Sequence, residues 1–413
     1  MAIVRPFCAL RPASEYAEKV ISLPYDVMNR SEASKMALKN PYSFLHISRS
    51  EIDLPDTRDP YAEEVYLKAK TNMAGLIAKG IFARDEKPMF YIYAQEMAGR
   101  VQTGLVATTS IDDYLNNTIK KHELTRYEKE LDRIRHFDVC DANTEPVFLT
   151  YRDHSAIRAI MNGWISKHSP ENDITTADGI HHILWAISDD TVIHELSSLF
   201  DTVDALYIAD GHHRSASAVK VGLKRREEFP EYTGNEEFNY FMAVLFPDID
   251  LHIFDYNRVV KDLNGLTTEK FLTAVSMHFF IEEIGKPIYT PSEKHIFGMY
   301  LSENWYQLTA KSEIIDDGDV IKSLDVSILQ DYLLSPVLGI GDPRKDKRID
   351  FVGGIRGLKE LEKRVHEDMT VAFALFPIAI EDLLSVSDQG LVMPPKSTWF
   401  EPKLASGLFI HEL

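Results

Sequence analysis

The residues best suited to chemistry stand in one short run, Asp-Gly-His-His-Arg at positions 210–214. An apolar run at 206–209 precedes it, and a helix-prone run at 215–226 follows without a break. The pattern predicts a strand, a turn at Asp210 and Gly211, and then a helix. The free backbone N–H groups and the positive dipole end at a helix N-terminus favour an anion.

Each member of this run has a distinct chemical use. Gly211 lets the backbone approach an oxygen ligand closely, and Arg214 can offer two parallel donors to a phosphate. His212 and His213 add further donors. Asp210 would repel a phosphate unless it faces a metal ion, a histidine or a hydroxyl proton. We therefore predict a phosphate-binding site that also contains catalytic residues. The alternative is that Asp210 caps the helix and both histidines are surface residues.

A second unusual run, 119–136, is strongly charged and predicts a helix with few apolar residues. Its basic residues form one of the most basic patches of an acidic chain. They are Lys120, Lys121, Arg126, Lys129, Arg133 and Arg135. An anionic ligand would explain this patch, and Glu123 is a candidate general base within it, kept ionised by the nearby cations. A plain solvated helix is the alternative. The run is not a zinc-protease motif, because the second histidine is missing.

A third run, 393–404, contains prolines that forbid a regular helix or a central strand, so it predicts an ordered loop. Lys396, Ser397 and Thr398 offer donors to an anion there. The loop is either a lid on the site or a surface tail. Arg258, at the end of an apolar strand, is a second phosphate candidate, with a salt-bridged core arginine as the alternative.

The rest of the chain predicts an α/β fold with a mixed sheet. Elements expected from periodicity are a helix at 61–79, a strand pair at 89–95 and 103–108, a strand entered at 40–47 and a helix at 320–333. The net charge of −19 argues against a nucleic-acid partner. No segment is apolar enough to predict a membrane span. Two cysteines, Cys8 and Cys140, fit a reducing cytoplasm.

Together the three runs resemble the motifs of a known group of enzymes. The Asp-Gly-His-His-Arg turn is similar to the phosphate-binding motif of the ParB/sulfiredoxin-like superfamily, and in particular of its free-serine kinases. Those kinases carry a catalytic glutamate in a Lys-x-His-Glu segment, which Lys120 to Glu123 match, and a Pro-Lys-Thr-Thr loop, which 395–398 resemble. The motif order is the same, although Glu123 and Asp210 stand much farther apart here. End to end, the chain resembles the DUF1015 family.

The resemblance implies transfer of a phosphoryl group from ATP or ADP to the hydroxyl of free L-serine. Glu123 would take the serine proton, Asp210 would orient the nucleophile or help hold Mg²⁺, and His213 would assist catalysis. Other residues of the three runs, together with Arg258, are expected to bind either the nucleotide and its phosphates or the amino-acid substrate. Phosphate and nucleotide contacts are expected from Gly211, His212, His213, Arg214, Lys120, Arg126 and Arg258, and substrate contacts from His122, Lys396, Ser397 and Thr398.

This interpretation divides the chain into three regions. We expect an N-terminal α/β region at 1–115, a ParB/sulfiredoxin-like catalytic core at 116–265 and a C-terminal α/β region at 266–413. The expected location is the cytoplasm, without nucleic acid or membrane, and a homodimer stays one open alternative. Two other functions also stay open: a phosphatase or hydrolase of a small phosphate ester, and a nucleotide-responsive ParB-like regulatory protein.

Overall fold

Strands and helices are interspersed along the whole chain in the computed structural model, which describes all 413 residues. The strands are β1 Val4–Arg5, β2 Leu10–Pro12, β3 Phe82–Arg84, β4 Phe90–Met97, β5 Arg100–Ser110, β6 Ile119–Lys120, β7 Ala142–Asn143, β8 Val147–Tyr151, β9 Asn172–Thr175, β10 His181–Ile187, β11 Leu206–Asp210, β12 Tyr240–Pro247, β13 Ile253–Phe254, β14 Tyr256–Val260, β15 Phe279–Gly285, β16 Ile296–Leu301, β17 Asn304–Ala310, β18 Ile349–Gly353, β19 Val371–Ala374, β20 Trp399–Phe400 and β21 His411–Glu412. The helices are α1 Ser14–Val20, α2 Arg30–Ala37, α3 Leu45–Ser48, α4 Glu63–Ala78, α5 Ile111–Leu115, α6 Tyr127–Cys140, α7 Ser155–Ile165, α8 Asp190–Phe200, α9 His212–Glu228, α10 Thr268–Val275, α11 Asp325–Leu329, α12 Lys359–Glu367 and α13 Ile380–Asp388. The predicted α/β class is confirmed.

The chain folds into two units. Unit 1 comprises Met1–Leu251 and returns at Pro402–Leu413, whereas unit 2 comprises His252–Glu401. The predicted division into three regions is a different partition of the chain and stays a prediction.

Unit 1 is built on a nine-stranded mixed sheet with the order β6-β11-β8-β12-β5-β4-β10-β9, and β1 also pairs with β5. The β4–β5 hairpin turns at Ala98 and Gly99, whose φ angles of 52° and 77° are the pair that a two-residue hairpin turn needs. Strands β6 and β11 run parallel, with Leu206 opposite Ile119. The ends of these two strands, which carry the reactive runs, therefore meet at one edge of the sheet.

The core of unit 1 comes from the alternation of inward side chains on these strands. Leu149, Ile208 and Leu245 are fully buried on one face and belong to one hydrophobic cluster. Helix α9 can pack closely in this unit because Gly222 has no side chain. A Cβ there would lie 2.4 Å from the Phe238 carbonyl oxygen. The packing fixes α9, and with it the turn at its N-terminus.

Unit 2 has a six-stranded antiparallel sheet with the order β15-β17-β16-β19-β14-β18. Helix α12 lies against it and buries Leu361 in a cluster with Val259 and Trp305. The loop around Lys396 belongs to this unit, where it leads into the short pair of β13 with β20.

Several predicted elements are confirmed and others are wrong. The helix at 61–79 and the strand pair at 89–108 are present as α4, β4 and β5. The strand expected at 40–47 is wrong, because this segment forms a turn and then the short helix α3, which buries Leu45 and Ile47. The helix expected at 320–333 is α11 followed by a π-helical turn at Gln330–Leu334. No helix combines the length and apolar character needed to cross a membrane.

The single helix expected at 119–136 is also wrong. Residues 119 and 120 form β6, 121–126 form a connecting segment, and α6 begins only at Tyr127. The reason is the pairing of Ile119 and Lys120 with β11, which an isolated charged run does not reveal. Glu123 therefore lies in a connecting segment at the sheet edge rather than on a helix face.

Candidate active site

The turn after β11 has the predicted form. Gly211 is the N-cap of α9, with φ 92° and ψ 30°, and no side chain caps the helix there. The alternative in which Asp210 caps the helix is therefore wrong. Three backbone N–H groups at the start of α9 are available to an anion by the general geometry of helix ends.

His212 and Arg214 point away from bulk solvent. His212 is 4% exposed and Arg214 is 2% exposed, so neither is a surface residue. His212 Nε2 and Arg214 Nε are buried and have no hydrogen-bond partner. A buried polar group without a partner costs about 1–3 kcal/mol.

The parallel pair of β6 and β11 brings the second run to this turn. His122 is buried, and its ring packs edge-on against that of His212 with 4.5 Å between centroids. Glu123 follows, with Oε2 lying 3.5 Å from His212 Nδ1. The Glu123 side chain is 48% exposed, so it is open to a small substrate. The structure thus brings together Glu123 and His212, which stand far apart in sequence.

A backbone contact fixes the segment that carries Glu123. The Arg126 backbone N–H donates to His213 Nε2 at 2.9 Å, so the neutral form of His213 carries its proton on Nδ1. Thr125 donates to Glu130 Oε2 at 2.8 Å, and Lys220 of α9 donates to the same carboxylate. The start of α6 is therefore held against α9. The Arg126 side chain itself is exposed, and Lys120 is half-buried in β6.

Asp210 lies between two cations. Its Oδ2 is 3.4 Å from Arg214 Nη2 and 3.5 Å from Lys403 Nζ. Burial disfavours ionisation, but Lys403, Arg214 and His212 outweigh it and hold the pKa of Asp210 well below its usual range. Asp210 is therefore ionised at neutral pH. No role for Lys403 was predicted from the sequence, although this lysine stands in the proline-rich run at 393–404.

Glu145 is a buried acid that sequence reasoning missed. It is 1% exposed and accepts hydrogen bonds from the Tyr25 backbone N–H at 3.2 Å and the Ser406 hydroxyl at 2.7 Å. Burial raises the pKa of Glu145, whereas Arg214 and Arg133 lower it. Its position two residues before the buried strand β8 was the only signal. Glu145 therefore interacts electrostatically with Arg214 while it accepts hydrogen bonds from Tyr25 and Ser406.

Arg258 and the Lys396 loop lie in unit 2, where they meet each other. Arg258 is buried, donates to the Lys396 carbonyl at 3.0 Å and lies over the Phe351 ring. Burial lowers the pKa of Arg258 to about 10. Ser397 donates to the Pro394 carbonyl at 2.6 Å. The predicted contacts of Lys396, Ser397 and Thr398 with a substrate, and of Arg258 with a phosphate, stay predictions.

The magnesium prediction depends on Asp210. The structure contains no group of three or more His, Cys, Asp or Glu side chains that could hold a metal ion. Mg²⁺ commonly uses one or two carboxylates together with substrate phosphates and water. An ionised Asp210 directly before the N-terminus of α9 fits that donor set.

One test of the turn geometry replaces Gly211 with alanine. An added Cβ would meet Arg214 Nε at 3.0 Å, in a backbone conformation that alanine disfavours by about 1 kcal/mol. We expect Gly211→Ala to lose stability and to bind pyrophosphate at least tenfold more weakly. Gly234→Ala is the matched control, since Gly234 has the same φ of 92° with nothing within 4 Å. Urea denaturation and calorimetry would measure both variants. Equal pyrophosphate affinity in the two would refute the role of Gly211.

Buried histidines predict acid sensitivity. Burial lowers the pKa of His122, His136 and His182 to about 4 each. The unfolded chain, with ordinary histidine pKa values near 6.5, binds more protons between pH 6.5 and 4. Stability should therefore fall as the pH drops through this window, by about 1.4 kcal/mol per pH unit for each histidine. Urea denaturation from pH 7 to 4.5 would measure it. His136→Gln, at a residue outside the site, should reduce the slope of unfolding free energy against pH by the contribution of one histidine. A stability that does not change with pH would contradict the account.

Comparison with known proteins identifies the family. The model of the family described as protein of unknown function (DUF1015) matches residues 4–327. No curated protein matches the chain. Among solved structures, a conserved hypothetical protein from Pyrococcus furiosus is similar at 15% identity and a TM-score of 0.35, over 73% of this chain and 95% of that chain.

Two further solved structures are similar at low identity. SbnI with C-terminal truncation, from Staphylococcus aureus, is 10% identical with a TM-score of 0.39, over 73% of this chain and 85% of that chain. A free serine kinase in complex with AMP is 13% identical with a TM-score of 0.34, over 73% of this chain and 92% of that chain. The family match spans well over half of the 413 residues. The chain therefore belongs to the DUF1015 family.

Proposed function

We propose that the protein is a small-molecule phosphotransferase that moves a phosphoryl group from ATP or ADP to the hydroxyl of free L-serine. One observation carries the proposal: an open carboxylate, Glu123, lies beside His212 at the N-terminus of α9, with Oε2 3.5 Å from Nδ1. A carboxylate that could act as general base thus lies beside a helix N-terminus that could bind an anion. Phosphoryl transfer needs mainly such positioning and charge neutralisation.

In this reaction the serine oxygen attacks the terminal phosphorus of the nucleotide. The new oxygen–phosphorus bond forms as the bond to the nucleotide's bridging oxygen breaks, and the serine proton passes to Glu123. Products are O-phosphoserine and the nucleotide shortened by one phosphate. Asp210, held ionised, orients the serine hydroxyl or a bound metal ion, and His213 assists from the first turn of α9.

The transferred group is held at the start of α9. The backbone N–H groups of 212–214 donate to its oxygens, and buried His212 and Arg214 add side-chain donors. Lys120 and Arg126 contact the rest of the nucleotide. When bound, Mg²⁺ supplies neutralisation of the phosphate charge, and Asp210 is the residue that would hold it.

Further parts of the proposal concern the whole chain. His122, Lys396, Ser397 and Thr398 contact the amino acid, and Arg258 supports a phosphate. The catalytic core has the ParB/sulfiredoxin-like fold. The unpaired thiols of Cys8 and Cys140 support a cytoplasmic location.

Mass spectrometry of the products tests the reaction class. Purified protein would be incubated with Mg²⁺ and serine, with and without each nucleotide, and in parallel with O-phosphoserine alone. Phosphoserine that forms only with a nucleotide supports the kinase and names the donor. Release of phosphate from O-phosphoserine without nucleotide would indicate the phosphatase alternative. Nucleotide binding without any product would favour the regulatory alternative.

A further inference from the structure

We propose that Lys403 directly contacts the transferred phosphoryl group and completes the anion site at the start of α9. This inference rests on the proposed function for the identity of the phosphate. It assigns a role to the terminal segment 402–413, which returns to unit 1. The chain has no Walker loop, so no lysine of that motif contacts the phosphate.

Lys403 lies beside the carboxylate that comes directly before the start of α9. Its Nζ is 3.5 Å from Asp210 Oδ2, and its side chain is only 14% exposed. Arg214 Nη2 approaches the same oxygen from 3.4 Å. A lysine and an arginine therefore flank the carboxylate that directly precedes Gly211. An ionised Asp210 would otherwise repel the phosphate beside it.

Two buried glutamines fix the backbone at Lys403. Gln95 is fully buried and donates through Nε2 to the Lys403 carbonyl at 2.8 Å. Gln102 is opposite Gln95 in the β4–β5 hairpin and donates to its Oε1 at 2.9 Å. Buried amides are retained only when their hydrogen bonds are made. The hydrogen bonds of these two glutamines hold the Lys403 backbone in place, so the β4–β5 hairpin helps to position this lysine.

The next residues anchor the segment beneath the site. The Ala405 N–H donates to the Tyr93 hydroxyl at 3.4 Å, and Ser406 donates to Glu145 Oε1 at 2.7 Å. Glu145 is the acid that faces Arg133 at 3.8 Å and supports Arg214 electrostatically. The segment that carries Lys403 is thus coupled to the arginine that flanks Asp210.

An ion pair between Lys403 and Asp210 does not by itself explain the site. His212 Nε2 and Arg214 Nε stay buried without partners when that pair is made. Both are donors or potential donors, and both lie on the first turn of α9 with Asp210 directly before it. The ion pair between Lys403 and Asp210 therefore leaves two polar atoms at the start of α9 without hydrogen-bond partners.

Calorimetry of the full-length protein with pyrophosphate and with AMP tests the inference. We expect Lys403→Met to weaken pyrophosphate binding at least tenfold. Lys87→Met is the matched control, since Lys87 pairs with Asp190 at 3.1 Å elsewhere in unit 1 and should bind as the wild type does. In the Asp210→Asn background, Lys403→Met should still weaken binding. The double variant has no carboxylate charge at position 210 that would lose its lysine partner. It can therefore be measured where the single variant fails to fold.

The inference is overturned if the wild type binds neither probe, or if Lys403→Met binds pyrophosphate within twofold of the wild type. It is also overturned if Lys403→Met has no effect once Asp210 is asparagine, because Lys403 would then serve Asp210 alone. A wild type that binds pyrophosphate through Lys403 but makes no phosphoserine supports Lys403 as part of the anion site and refutes the proposed function.

Discussion

Glu123→Gln is expected to lower the turnover of serine phosphorylation by about 10²–10⁴-fold, the usual contribution of a general base. Glutamine keeps the size and polarity of the side chain but cannot take the serine proton. The free energy of unfolding should stay within about 0.5 kcal/mol of the wild type, because the side chain is half exposed. Steady-state kinetics and urea denaturation would measure the two quantities separately.

Glu128→Gln is the matched control for this variant. Glu128 is exposed in the first turn of α6, five residues after Glu123, and changing it removes the same charge from the same basic run. Its turnover should equal that of the wild type. A Glu123→Gln variant that keeps more than a tenth of the activity would rule out Glu123 as the base.

Arg214→Met is expected to lower the free energy of unfolding by about 3 kcal/mol and to abolish phosphate binding. The guanidinium is buried, donates to the Pro146 carbonyl and compensates the carboxylates of Asp210 and Glu145. Removing one partner of a buried ionic group leaves the other uncompensated, which typically costs 3–5 kcal/mol. Urea denaturation and pyrophosphate calorimetry would measure the losses.

Arg225→Met is the control for the loss of an arginine from the same helix. Arg225 forms its ion pairs with Asp138, Asp141 and Glu228 at the partly exposed far end of α9. The Arg225→Met substitution should lower the free energy of unfolding by no more than about 1 kcal/mol, the usual value for exposed ion pairs. Pyrophosphate binding should stay unchanged. If Arg214→Met were as stable as Arg225→Met, the buried network would not hold the site together.

The strand–turn–helix at Asp210 could be predicted from sequence because its signals are local. A buried apolar run, a glycine suited to positive φ and a helix-prone run follow one another within the chain. The strand pair of β4 and β5 was equally local, since only Ala98 and Gly99 separate the two strands in the chain. Elements of this kind depend on neighbouring residues alone.

The incorrect prediction of one helix at 119–136 arose because the structure of this segment depends on residues distant in sequence. The segment at 119–136 reads as one charged helix, yet pairing of Ile119 and Lys120 with β11 converts its start into a strand. Tertiary pairing overrides local propensity there. The same pairing is what places Glu123 beside His212, so the candidate site was anticipated by its motifs but its geometry was not.

Lys403 and Glu145 show a second limit of sequence reasoning. A single lysine after a proline and a single glutamate before a strand carry no pattern of their own. Their importance comes from burial and from contacts with Asp210, Ser406 and Tyr25 across long sequence separations. Such residues can be identified only from a three-dimensional structure, which shows their charged neighbours and hydrogen-bond partners.

The most direct test of the central claim is phosphorus NMR of the purified protein with Mg²⁺, L-serine and either ATP or ADP, beside Glu123→Gln. The account predicts a phosphomonoester signal of O-phosphoserine that requires serine, nucleotide and Glu123. Its growth with one nucleotide and not the other would name the donor. No phosphoserine signal from the wild type with either nucleotide, or an equal signal from Glu123→Gln, would contradict the account.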